Sequence, residues 1–117
     1  MIQKTNIKNF TEDVLNNAKP CVVKFKSEGC YLCHGLVSVY KKVAKKYQND
    51  FEFFTVDIDQ NKKLSDMFAT NGVPALYIFG DTEAHEVPDP DDPHEQTWFS
   101  EEYIEEVLRD FLKKENK

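Results

Sequence analysis

The sequence predicts an α/β fold with a central mixed sheet of four or five strands, flanked by about four helices. Three observations carry that reading. The 117 residues match one ordinary domain. Three short, nearly continuous apolar runs suit strands covered on both faces. The stretches between and beyond them carry apolar residues at helical spacing.

In chain order, an extra strand near the N-terminus is not clearly written. Thr11 reads as the N-cap of a short helix carrying Val14 and Leu15. Cys21–Phe25 is the first apolar strand; it follows Pro20, which can begin a buried strand but not continue one. From Cys33 to about Gln48, Leu36, Val37, Val39, Tyr40, Val43, Ala44 and Tyr47 recur along a helix. Lys41, Lys42, Lys45 and Lys46 form its opposite, solvated face. Phe51–Ile58 is the second strand and ends at the polar turn Asp59-Gln60-Asn61; residues 62–70 form a shorter helix through Leu64, Met67 and Phe68. Ala75–Phe79 is the third strand, between Gly72-Val73-Pro74 and Gly80-Asp81. Ser100 caps a final helix with Tyr103, Ile104, Val107, Leu108, Phe111 and Leu112 inward. Its early glutamates and late Lys113 and Lys114 favour the helix dipole.

Between the last strand and the last helix, residues 81–96 break the pattern. This segment holds seven acids and three prolines but no Lys or Arg. It reads as an acidic loop insertion within a single domain spanning 1–117, with room for an edge strand near Ala84–Val87. Asp89, Asp91 and Asp92 lack the spacing, the turn glycine and the closing glutamate of a calcium loop, so they read as solvated charge.

Composition excludes several classes. Nine Phe, five Tyr and one Trp can fill a core, and no apolar run approaches the ~18 residues of a membrane span. The formal charge of −6 argues against a nucleic-acid partner. It is uneven: residues 1–50 hold nine lysines and four acids, residues 51–117 six bases and 17 acids. Met1–Asn6 shows no apolar export core, which points to the cytoplasm, with an oxidising compartment open if a leader was removed. Three cysteines are too few for a disulfide framework. Cys21, opening a strand, reads as a core residue.

The chemistry concentrates in Cys30-Tyr31-Leu32-Cys33, where a strand ends and a long helix begins. The positive end of a helix stabilises a thiolate and lowers its pKa from ~8.5. Two intervening residues put both sulfurs in one turn, so Cys33 can attack a mixed disulfide formed by Cys30. Tyr31 is placed to touch a substrate chain. Other readings compete. Cys30-Tyr31-Leu32-Cys33-His34 satisfies the c-type haem pattern, and Cys30, Cys33 and His34 would lack a fourth ligand for zinc. His34 itself is either a solvent-facing residue or a cation beside the thiolate.

Taken together, the motif, the strand before it, the Tyr47-Gln48 helix end and Gly72-Val73-Pro74 resemble the thioredoxin family. The stretch from Cys30 to Pro74 aligns with it without a gap. The resemblance implies the thioredoxin fold and thiol–disulfide exchange with protein substrates through Cys30 and Cys33. It also implies a cis bond before Pro74, and a Val73 backbone that pairs with the substrate. It implies no dissociable cofactor and no metal, a reductase or other electron donor or acceptor as partner, and a monomer. The alternative is a non-catalytic thioredoxin-fold module that holds a protein partner. The chain departs from the family in several places. The usual Trp and the Gly-Pro between the cysteines are absent, and Ser38 replaces a helix-kinking proline. Glu95–Phe99 stands for the late glycine loop, Lys24 for the buried aspartate behind the motif, and Thr55 for that aspartate's lysine partner. Three roles are open to Lys24: a base for Cys33, a cation favouring a thiolate, or a side chain that snorkels to water.

Overall fold

The computed structural model describes residues 2–115. Five strands form one sheet in the order β1-β3-β2-β4-β5. They are β1 (Ile2–Lys4), β2 (Cys21–Lys26), β3 (Glu52–Asp57), β4 (Ala75–Gly80) and β5 (Glu83–Glu86). β2 lies at the centre, parallel to β3 and antiparallel to β4; β1 extends the sheet parallel to β3, and β5 pairs antiparallel with β4. The helices are α1 (Tyr31–Tyr47), α2 (Lys62–Phe68) and α3 (Glu101–Glu115), preceded by a π-helical turn at Thr11–Leu15.

Strand alternation sorts the core into two layers. On one face, Val22, Phe53, Leu76 and Ile78 pack against Leu36, Tyr40 and Val43 of α1 and Ile104 and Leu108 of α3. On the other, Val23, Phe25, Phe54 and Val56 meet Phe10, Val14 and Leu64 from the π-helical turn and α2. Tyr40, fully buried, locks α1 to the sheet. Its hydroxyl lies 2.7 Å from the Phe54 carbonyl oxygen and 3.1 Å from that of Val22, within reach to donate.

Several expectations are corrected. The cap of the first helical segment is Phe10, with no side-chain cap bond, and Thr11 lies inside the turn. Asn6 holds the approach instead, accepting from the Asn9 amide. Leu15, Val37 and Met67 are exposed, because Val14, Leu36 and Leu64 fill the narrow contact stripes of their short or one-sided elements. The 81–96 segment is less loop-like than its composition: β5 occupies Glu83–Glu86, and the Val87 amide continues the ladder to the Leu76 carbonyl. A two-residue turn joins β4 to β5, with Asp81 and Thr82 both at positive φ (53° and 63°), as in a type I′ hairpin. Ser100, as read from the sequence, accepts the Tyr103 amide at the start of α3.

Thr82 is β-branched in a conformation that favours glycine. Thr82→Gly is therefore expected to stabilise the fold by about 1 kcal/mol, less the entropy glycine adds to the unfolded chain. Urea unfolding of both proteins checks this; an unchanged or lower midpoint contradicts it.

Candidate active site

β2 delivers its C-terminal end to the turn before α1, and that turn is held from outside. Asp59, in the β3–α2 connection, accepts from the Ser27 hydroxyl at 3.0 Å and from the Glu28 amide at 3.1 Å. The Cys30 amide donates back to the Ser27 carbonyl. His34 Nε2 donates to the Glu28 carbonyl at 2.6 Å, so the imidazole braces the same turn. Neither role of Asp59 or His34 was visible in the sequence beyond the polar turn at 59–61, since these bonds join segments about 30 residues apart or depend on ring orientation.

Cys30 is the N-cap of α1, in extended conformation, and its sulfur accepts the Cys33 amide at 3.0 Å. The two cysteines are disulfide-bonded, with Cα atoms 5.2 Å apart. Cys30 is partly exposed and Cys33 only 3% exposed. Cys30 Sγ lies 3.8 Å from the Val73 carbonyl oxygen, and the Val73–Pro74 bond is cis. Tyr31 stands out from the surface, 70% exposed. Thus Cys30, Cys33, Val73 and Pro74 meet at one site, with Tyr31 at its rim.

The thioredoxin family model matches residues 1–100. The chain belongs to the thioredoxin family. Thioredoxin of Borreliella burgdorferi is 23% identical over 113 residues, which cover 96% of this chain and 90% of that one. Thioredoxin of Pseudomonas aeruginosa is 31% identical over 73 residues, 62% of this chain and 68% of its own. The crystal structure of chloroplastic thioredoxin z has the same fold, with a TM-score of 0.74 at 19% identity over 93% of this chain and 92% of that one. With its bonded Cys-x-x-Cys pair, this thioredoxin-family chain is a thiol–disulfide oxidoreductase.

Two features separate its site from the family pattern read in the sequence. Beside Pro74, the segment after β5 builds a wall. Trp98 Nε1 donates to Asp89 at 3.0 Å, while His94 and Trp98 exchange backbone hydrogen bonds at 3.0 and 2.8 Å. Trp98 sits at a φ of 64°, and with Leu32, Val73, Pro74 and Asp89 it lines a hollow of about 150 Å³. Gly35 lets this wall close on α1, because a methyl there would fall on the Gln96 carbonyl oxygen.

Behind Cys33 lies Lys24. It sits on the sheet face covered by α1, in register with Thr55, and is 5% exposed. Its ammonium is 4.8 Å from the centre of the Tyr40 ring, a cation–π distance. Burial, reinforced by Lys26 and Lys41, lowers its pKa from 10.5 to about 8. On Cys21, burial acts in the opposite sense, with Glu52 and Asp13 adding to it; the thiol is pushed up to about 12, which keeps it protonated and inert.

The depressed Lys24 pKa makes stability pH-dependent. Between about pH 8 and 10.5 the folded chain sheds this proton while the unfolded chain keeps it, so the native state gains stability as pH rises. At pH 7 the buried charge is a net cost. Lys24→Met in the disulfide form should therefore be more stable than the wild type at pH 7 by about 1–3 kcal/mol. Most of that advantage should vanish by pH 10.5. Urea unfolding of both proteins across this range measures it, and a pH-independent difference contradicts it.

Proposed function

We propose that Cys30 is the attacking sulfur and Cys33 the resolving one, and that Val73 and Pro74 seat the target. In the reduced protein the Cys30 thiolate attacks one sulfur of a target disulfide. A mixed disulfide forms and the first target thiolate leaves. Cys33, deprotonated, then attacks the Cys30 sulfur; the second target thiolate leaves and the Cys30–Cys33 bond is restored. Two electrons pass to the target, and a reductase or other dithiol donor returns them; run backwards, the same steps oxidise a dithiol target.

The observation that carries this reading is the partly exposed Cys30 at the N-terminus of α1, its sulfur bonded to Cys33 and next to the Val73 carbonyl. The helix end and the Cys33 amide, which already points at that sulfur, both favour a thiolate on Cys30. Cys33, almost covered, is reachable by Cys30 but poorly by a target. An extended target segment can lie along the backbone of Val73, with Tyr31 against its side chains. Lys24 modulates the second step as a cation that favours a Cys33 thiolate, since it is mostly protonated at pH 7. His34 modulates the first through the turn it braces. Residues 1–117 act in this as one unit, a monomer in the cytoplasm.

The cysteine variants test the assignment. Cys33→Ser, reduced beforehand, should accumulate a mixed disulfide with a disulfide-bonded target such as insulin, seen as a mass shift that dithiothreitol removes. Cys30→Ser should trap nothing and lose insulin-reducing activity by roughly three orders of magnitude or more. Trapping by Cys30→Ser instead would reverse the two roles. Stable target capture by the double serine variant would favour a pure binding module.

A further inference from the structure

A second pocket, of about 330 Å³, opens on the side of the dithiol away from Pro74, and it shares no lining residue with the hollow there. Its walls include Cys33 and His34, together with Lys4, Lys24, Lys26 and Lys41, drawn from β1, β2 and α1. No carboxylate of the described residues lines it. Lys26 is partly neutralised at the rim by Asp57 (3.8 Å) and Glu28 (3.6 Å). Lys24 is different: the residue is 5% exposed, and its ammonium makes no hydrogen bond or ion pair with a described residue. No buried side-chain nitrogen among the described residues is cut off from both partner and solvent, so the Lys24 ammonium opens to this pocket.

An almost wholly buried cation, surrounded by further cations and lacking a counter-charge, is costly unless something anionic completes it. We propose that this pocket is an anion site for a small phosphate monoester, with Lys24 as its deepest contact. A dianion suits several converging ammonium groups better than a single carboxylate does. The volume exceeds that of a bare phosphate ion, and Ile2 and Val37 offer aliphatic walls to an attached organic group. The repulsion that Lys26 and Lys41 exert on Lys24 would be relieved by the same occupant. The pocket shares Cys33, His34 and Lys24 with the proposed exchange site, and it is tested in the disulfide form, where no turnover occurs.

The probes are glycerol phosphate and inorganic phosphate, titrated into the oxidised full chain at constant ionic strength and followed by amide chemical shifts. Glycerol with chloride is the control. Saturable shifts at Lys24, Val37 and Thr55 are expected, with glycerol phosphate binding more tightly than inorganic phosphate. Lys24→Gln should weaken binding by about tenfold or more, given the usual strength of a charge-assisted hydrogen bond. Lys41→Gln, at an exposed position, serves as a second variant and should weaken it less. Absence of saturation, equal binding by the two phosphates, or an affinity indifferent to Lys24→Gln would overturn the proposal. Binding is read in the oxidised chain and insulin reduction in the reduced one, so loss of phosphate binding is distinguishable from failure of the dithiol chemistry, which Lys24→Gln is also expected to slow.

Discussion

One sulfur carries two loads. Cys30 Sγ accepts the Cys33 amide and thereby caps α1, and it also bonds covalently to Cys33. The first four amides of a helix have no partner inside the helix, so a group at the N-cap satisfies them and sits in the positive end of the dipole. A sulfur gains from that position most when it is an anion. A thiolate left on Cys30 by reduction therefore strengthens the cap. The rest of the molecule serves to put this helix end where β2 finishes, with β2 fixed by parallel pairing on one side and antiparallel pairing on the other.

That dependence explains why distant residues matter to the motif. Asp59 comes from the far end of β3, yet it fixes Ser27 and Glu28, and Ser27 fixes the Cys30 amide. Because β2 and β3 run parallel, both strand ends reach the same edge of the sheet, so the β3–α2 connection lies beside the β2–α1 turn. The parallel pairing thus supplies the brace without any further machinery. His34 completes it from the helix side.

Much of this was legible in the sequence because its signals are local. The three apolar runs, the α1 periodicity, the Ser100 cap and the Cys-x-x-Cys at a strand–helix junction each declare themselves within a few residues. β1 was not legible, since three residues (Ile2–Lys4) are too short to show a period and gain their place only by pairing with β3. β5 was legible only as room for an edge strand near Ala84–Val87, one residue late, because Asp81-Thr82 lacks the glycine that ordinarily marks a type I′ turn and an edge strand needs little apolar character. Leu15, Val37 and Met67 show the limit of periodicity: it finds a helix but not the width of the stripe its neighbours cover. The contact between Gly35 and Gln96 joins residues 61 positions apart and leaves no trace in either local pattern.

The two sides of the dithiol have been given opposite electrical characters by separate parts of the chain. Towards Pro74, the end of β5 and the segment after it contribute Glu86 and Asp89 to the hollow, which no Lys or Arg of the described residues lines. Towards the back of Cys33, lysines from β1, β2 and α1 converge. The uneven charge of the two sequence halves therefore has a spatial expression at this site. The dithiol sits on the boundary: the Cys33 side faces cations, and the hollow beside Val73 faces acids. Such a field sets opposite electrostatic preferences on the two sides of the pair. A target segment with basic residues beside its cysteine would meet complementary charge, and an acidic one would be repelled before the sulfurs come within bonding distance.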